Sequence, residues 1–257
     1  MEPPAPQPEI VLYAELTPAE FQTRRAAAPI AYLPLGTLEY HGAHLPLGAD
    51  GLQSAGFFEQ LARRAGGIVL PMLFLGPDRQ QRLADGRELY GMDISRTSVP
   101  ARAYPDQQLP GSAYWVPDAT FETLLDAILK QLARVGFRIV VGHGHAPSAR
   151  GFMDRAAQWR ERYGLRCFHC WNEPPWEDLG LQVDHAGRNE TSVVMALRPE
   201  LAQLTNLPAD PAVWPVAVGG RDPRTEASAE HGRQVIATQV ERMAGVLQQA
   251  LAEIRSA

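Results

Sequence analysis

Glu39, His41, His44 and Asp50 fall within twelve residues of one another, in the segment Gly36-Thr37-Leu38-Glu39-Tyr40-His41-Gly42-Ala43-His44-Leu45-Pro46-Leu47-Gly48-Ala49-Asp50. Carboxylates and imidazoles together make an oxygen and nitrogen donor set suited to Zn²⁺, Mn²⁺ or Fe²⁺. Such ions generate hydroxide at neutral pH, which points to hydrolysis. Glu39 and His41 are two apart, so in extended chain their side chains leave the same face. Taken singly, each residue has a structural explanation: Asp50 could cap the helix that starts near Gly51, and His44 could orient the loop. Gathered directly after an apolar run, the group is better explained by a ligand.

A second cluster, Gly142-His143-Gly144-His145, also follows an apolar run. Its glycines allow close backbone approach to a ligand, and its two histidines could share a face. In a third, Asp184-His185-Ala186-Gly187-Arg188-Asn189-Glu190-Thr191-Ser192, His185 and Glu190 bracket a glycine turn. Glu190 also suits the first turn of a helix for dipole reasons alone.

Weaker signals remain. Cys167-Phe168-His169-Cys170 has CxxC spacing but no second ligand pair, so a core role is expected. Trp171, Pro174, Pro175 and Trp176 form an aromatic, stiffened segment suited to a wall or lid. Arg79, Arg82 and Arg87 lie in a long loop and could hold an anionic substrate group.

Strands are expected at Ile30–Leu35, Gly67–Leu75, Phe137–Val141 and Leu165–Trp171. Helices are expected at Gly51–Ala65, Phe121–Val135, Ala149–Tyr163, Glu190–Leu197 and Glu230–Ser256. The alternation implies an α/β fold: a single-domain layered sandwich with a mostly parallel β-sheet flanked by helices. Ligands in such sheets bind beyond the carboxyl ends of the strands, where the histidine clusters fall. Residues 77–114 form an irregular stretch long enough to be a functional lid or interface arm. Residues 1–9, rich in proline, read as a flexible N-terminal arm before one domain spanning 10–257.

The bulk composition narrows the function classes. A net charge of −5 over 257 residues argues against nucleic-acid binding. No apolar run reaches the roughly 20 residues of a membrane span, and the N-terminus lacks a secretory pattern. Two cysteines exclude a disulfide framework. A cytoplasmic location is the expectation.

The three motifs resemble those of the creatininase (creatinine amidohydrolase) family, whose signature reads Gly-[Ser/Thr]-x-Glu-x-His-Gly-x-His-Leu-Pro-x-x-x-Asp. Gly36 to Asp50 matches it with the same spacing. Val141-Gly142-His143-Gly144 is similar to the family's Asn-Gly-His-Gly, and His185 to Ser192 to its His-Ala-Gly-x-x-Glu-Thr-Ser. The segments Gly220-Arg221-Asp222-Pro223 and Ala229-Glu230-His231-Gly232 resemble its closing pattern.

The resemblance implies a two-metal centre of Zn, Mn or Fe. Glu39, His41, Asp50 and His143 would be ligands, with Asp50 bridging, and Glu190 a ligand or its supporting partner. His185 would carry a proton, and a homo-oligomer, often a hexamer, would form. Departures are Val141 for the usual asparagine, Arg188 for a frequent glutamate, and no histidine-bearing segment within 78–110. His145 stands where creatinine-cleaving members place a metal-binding glutamate, and is read as a catalytic side chain. The implied activity is hydrolysis of a small cyclic amide or related carbonyl compound. Alternatives are deformylation, peptide trimming, ring opening of a keto-inositol, a metal-dependent isomerase or lyase, and a binding module whose site has decayed.

Overall fold

The computed structural model describes residues 9–95, 97–170 and 179–256. Most of the expected N-terminal arm, and the segment containing Trp171, Pro174, Pro175 and Trp176, lie outside the described residues.

Helix α1 (Pro18–Ala27) leads into strand β1 (Ile30–Leu35), buried at every position. Then come helix α2 (Ala49–Ala65), strand β2 (Ile68–Val69), the pair β3 (Gln80–Arg82) and β4 (Glu88–Tyr90), and helix α3 (Asp118–Arg134). Strand β5 (Ile139–Gly144), helices α4 (Ala146–Met153) and α5 (Ala156–Tyr163), and strand β6 (Arg166–His169) complete the centre. Helices α6 (Arg188–Leu197), α7 (Pro223–Glu226) and α8 (Ala229–Ser256) close the chain. The four-stranded sheet has order β2-β1-β5-β6 and is parallel throughout, as buried strands joined by helices require.

Strand alternation divides the core into two layers. Ile30, Tyr32, Ile139 and Val141 pack with Phe57, Phe58 and Leu61 of α2 and Val235, Ile236, Met243 and Leu247 of α8. Ala31, Leu33, Leu35 and Val140 face Phe121, Leu125 and Leu129 of α3, with Phe152 and Trp159. In α8, Ile236, Val240, Met243, Leu247 and Ala250 recur at three- and four-residue spacing, which puts one apolar stripe against the sheet. No helix among the described residues is long and apolar enough to cross a membrane.

Three expectations about elements are corrected. The run expected as one strand from Gly67 to Leu75 is β2 followed by an interrupted ladder. Pro71 lacks an N–H, yet Leu70 and Leu73 still donate to the carbonyls of Tyr32 and Pro34 (2.8 and 3.0 Å). The expected helix from Ala149 to Tyr163 breaks into α4 and α5, and the Trp159 indole N–H takes the Phe152 carbonyl near the break (3.2 Å). Strand β5 continues to Gly144, beyond the expected end at Val141. That extension moves the site edge.

Candidate metal centre

At the carboxyl end of β1 the chain crosses the sheet edge, pinned by bonds to several elements. The Gly36 N–H donates to Leu73 O (2.8 Å), and Ser148 Oγ donates to Gly36 O (2.9 Å). The Glu39 N–H reaches Leu47 O (2.9 Å), and the Tyr40 N–H reaches Ser112 Oγ (3.0 Å). Glu39 and His41 are thereby held over the sheet. Asp50 lies inside the first turn of α2, as Glu190 does in α6, so both carboxylates sit at helix N-termini where the dipole favours negative charge. His145 is the residue immediately before α4.

Three overlapping groups have ligand atoms mutually within 4.8 Å: Glu39/Asp50/His145, His41/Asp50/Glu190 and Glu39/His41/His185. Asp50 is common to the first two. Its Oδ2 is 3.0 Å from His145 Nδ1, and its Oδ1 is 3.4 Å from His41 Nε2. Glu39 Oε2 is 3.5 Å from His145 Nδ1, and Glu190 Oε2 is 3.7 Å from His41 Nε2. His41 Nδ1 lies 3.0 Å from Glu39 O. A proton on Nδ1 donated to that carbonyl leaves the Nε2 lone pair facing the two carboxylates. Nε2 is buried and makes no hydrogen bond. An imidazole nitrogen aimed between carboxylates fits a divalent ion, and the donor chemistry is that of Zn²⁺, Mn²⁺ or Fe²⁺.

The electrostatics agree. Burial lifts the Glu39 carboxyl to about 7 against the pull of His145 and His41. Burial likewise pushes Glu190 well up; His41 opposes the rise, while Asp50 and Asp184 add to it. Burial would lift Asp50 too, but His41 and His145 outweigh it and hold this carboxyl well below its usual range. Burial disfavours charge on His41, yet Asp50, Glu190 and Glu39 raise it to about 10. His145 rises for the same reason beside Asp50, Asp78 and Glu39. Protons thus do the neutralising that a cation could do.

The two histidines of the second motif are placed differently with respect to the ligand groups. His143, expected as a ligand, lies within β5 opposite Pro34 and belongs to none of the ligand groups. Burial, with the charge of His169 next and Arg242 adding, lowers it to about 3 against the influence of Asp50. His145, expected as a catalytic side chain, occupies a ligand group instead. Three extra ladder positions put the strand end at Gly144, so the following residue reaches the site. Gly144 lines the cavity beside the ligand groups, and both glycines are also needed for packing. Gly144 (φ +141°) passes the Leu35 carbonyl so closely that a Cβ would collide with it, and Gly142 faces the Phe152 ring.

His185 reaches the site with its Nε2 3.0 Å from Tyr40 O and its Nδ1 3.9 Å from Glu39 Oε2. Burial, then the charge of His41, lowers it to about 3, so it is neutral. His44 is tied to α6 through Thr191 Oγ1 (2.9 Å) and is outside the ligand groups. Cys167 and Cys170 are free thiols, and burial raises Cys167 to about 12, consistent with a packing role.

Sequence reasoning passed over three supports. Asp78 Oδ2 lies 3.2 Å from His145 Nε2, on the opposite side of the ring from Asp50. Burial opposes its ionisation, but His145 and the Arg79 N–H (2.6 Å) hold its carboxyl low. Gln182 donates to Asp50 Oδ1 (2.9 Å). Gly91 (φ +53°) passes the carboxylates so tightly that a Cβ there would sit 2.5 Å from Asp78 Oδ2 and 2.6 Å from Glu39 Oε1. A cavity of about 300 Å³ opens above, lined by Glu39, Asp50, His145, His185 and Glu190 among others. Nothing local in the sequence marks Asp78, Gln182 or Gly91, because each meets the site only through tertiary contact.

A parallel αβα sandwich with carboxylates and imidazoles converging at its strand ends has the form of a metal-dependent hydrolase. The description "Creatininase: Creatinine amidohydrolase" matches residues 14–247. The chain belongs to the creatininase family. It is 27% identical to the creatinine amidohydrolase of Pseudomonas putida, over 93% of this chain and 96% of that protein. A creatininase Mn structure superposes with a TM-score of 0.69 at 25% identity, covering 94% of this chain and 99% of that one. A Zn-Zn type mutant creatininase gives 0.69 at 25% identity, covering 95% and 99%.

Proposed function

We propose that the protein hydrolyses the carbon–nitrogen bond of a small cyclic amide, using two divalent ions. The observation that carries this reading is the sharing of Asp50 between Glu39/Asp50/His145 and His41/Asp50/Glu190. Bound there, two ions would supply an activated water and polarise the substrate carbonyl. Mn and Zn-Zn forms of relatives support either metal.

The chain's own residues do the rest. Asp78 and Gln182 fix His145 and Asp50 from behind. His185 is the residue of the ligand groups with the most exposure, about a quarter of its side chain. With Nε2–H donated to Tyr40 O, its Nδ1 carries the lone pair. That atom accepts the proton released by the attacking water and returns it to the leaving nitrogen as the bond breaks. Neutral at rest, it is free to accept, and its depressed basicity makes the protonated ring a ready donor to the leaving nitrogen.

The test is metal content by mass spectrometry together with turnover of a lactam panel. Asp50→Asn should lose both ions and more than about 1000-fold in kcat. Full metal content in that variant, or turnover that survives chelation, would overturn the reading. The family relationship also supports a homo-oligomer, for which light scattering is the check.

A further inference from the structure

Of the three loop arginines, only Arg79 lines the cavity over the ligand groups. Arg82 is exposed away from it, and Arg87 pairs with Asp85 (2.8 Å). A second arginine lines the same cavity from another element: Arg150, in the last turn of α4. The cavity therefore has two unlike ends. Its floor holds the carboxylates and imidazoles of the ligand groups, and its wall is lined by Arg79 and the exposed Arg150.

The acids nearby are already committed. Asp78 faces His145 and accepts the Arg79 N–H, and Asp184 accepts the Asn189 and Glu190 N–H groups at the start of α6 (2.8 and 3.1 Å). Arg79 is held by Gly91 O (3.2 Å) and lies 3.9 Å from Asp78, so its charge is balanced and its head is fixed. Arg150 has no side-chain acceptor among the described residues.

We propose that the substrate bears a carboxylate, seated against Arg150 with Arg79 beside it, while its scissile amide faces the ligand groups. This rests on the amidohydrolase reading and narrows it to small acidic amides. A planar carboxylate matches the guanidinium fork, which accepts it through paired hydrogen bonds. The volume suits the class: about 300 Å³ holds roughly ten waters at ~30 Å³ each. That is room for a small acid.

Two chelators with the same metal-binding head make the test independent of the unidentified substrate. Acetohydroxamate is neutral, and succinic monohydroxamate adds a carboxylate. Calorimetry on the metal-loaded protein should show the acidic probe binding ~10-fold or more tighter, the scale of a charged hydrogen bond. Arg150→Ala should erase most of that advantage, and Arg150→Glu should reverse it. Acetohydroxamate affinity should stay within about twofold in both, and Arg150→Lys should restore part of the gap. Arg82→Ala should bind both probes as the parent does. Equal affinity of the parent for the two probes, or a preference that survives Arg150→Glu, would sink the carboxylate proposal alone. Failure of both probes to bind would sink it together with the amidohydrolase reading.

Discussion

The segment from Gly36 to Asp50 and the excursion from Gly76 to Pro117 both border the same cavity, yet they contribute in opposite ways. The first supplies Glu39, His41 and Asp50, whose spacing is visible along the chain, on backbone fixed by the end of β1 and the start of α2. The second supplies Asp78, Arg79 and Gly91, which meet the site only after the excursion folds back over it. Asp93 organises that return by accepting the Tyr90 and Leu109 N–H groups (3.1 and 2.7 Å). One region holds donors by local geometry, and the other holds them in register by tertiary contact.

That division can be broken first at the β5 edge. His145→Ala should weaken metal binding by more than about 100-fold, since even outer partners of ligands are worth 10–100-fold. His143→Gln should leave metal stoichiometry intact and lower stability by about 1–3 kcal/mol. Metal titration and thermal melts on the pair separate the two. The reverse pattern would return His143 to the site.

The excursion's contribution comes next. Asp78→Asn should weaken metal affinity about 10–100-fold while the fold is retained, because the His145 ring loses its carboxylate partner. An unchanged affinity would reduce Asp78 to a bystander. Gly91→Ala places a Cβ against Glu39 and Asp78 in a left-handed conformation costing about 1–2 kcal/mol. It should lower metal affinity along with stability, whereas loss of stability alone would detach the excursion from the centre.

A pH series sharpens the same contrast. Above pH 6.5 the folded, metal-free chain retains protons that the unfolded chain has released. They sit on Glu39 (about 7), on His41 (about 10), and on His145 and Glu190, both raised. Metal-free stability should therefore fall as pH climbs from 6.5 to 10, and metal should abolish the slope. Melting curves with and without chelator measure it; a flat metal-free profile would show that these protons are not held. The smallest effect is expected at Arg102, which stacks on the Trp214 ring (3.8 Å) and donates to Gly220 O (2.8 Å). Arg102→Ala should cost about 0.5–1 kcal/mol and leave metal affinity unchanged, because the contact lies at the far rim of the excursion.

The parallel sandwich was legible because apolar runs and amphipathic helices alternate regularly, and β1 coincides with the expected strand from Ile30 to Leu35. Glu39, His41 and Asp50 stood out by donor spacing after a strand, whereas Glu190 was pointed to by the family resemblance. The difference in placement between His143 and His145 reflects strand length: Val-Val-Gly-His-Gly looks like a strand ending in a glycine turn. Only pairing with β1 through Leu35 and Gly144 shows that the ladder runs on. Asp78 was illegible for a different reason. Its partner lies 67 positions along the chain, and no local pattern distinguishes it from the other acids of a polar loop.

Asp50 and Glu190 belong to the opening turns of α2 and α6, Glu39 and His41 to the segment after β1, and His145 to the start of α4. Cations seated among them would rivet four separately tethered pieces of backbone into one unit. Resistance to denaturant should then track free metal concentration, gaining about 2.7 kcal/mol at a hundredfold excess over Kd. The ions would serve as keystones of the architecture as well as reagents.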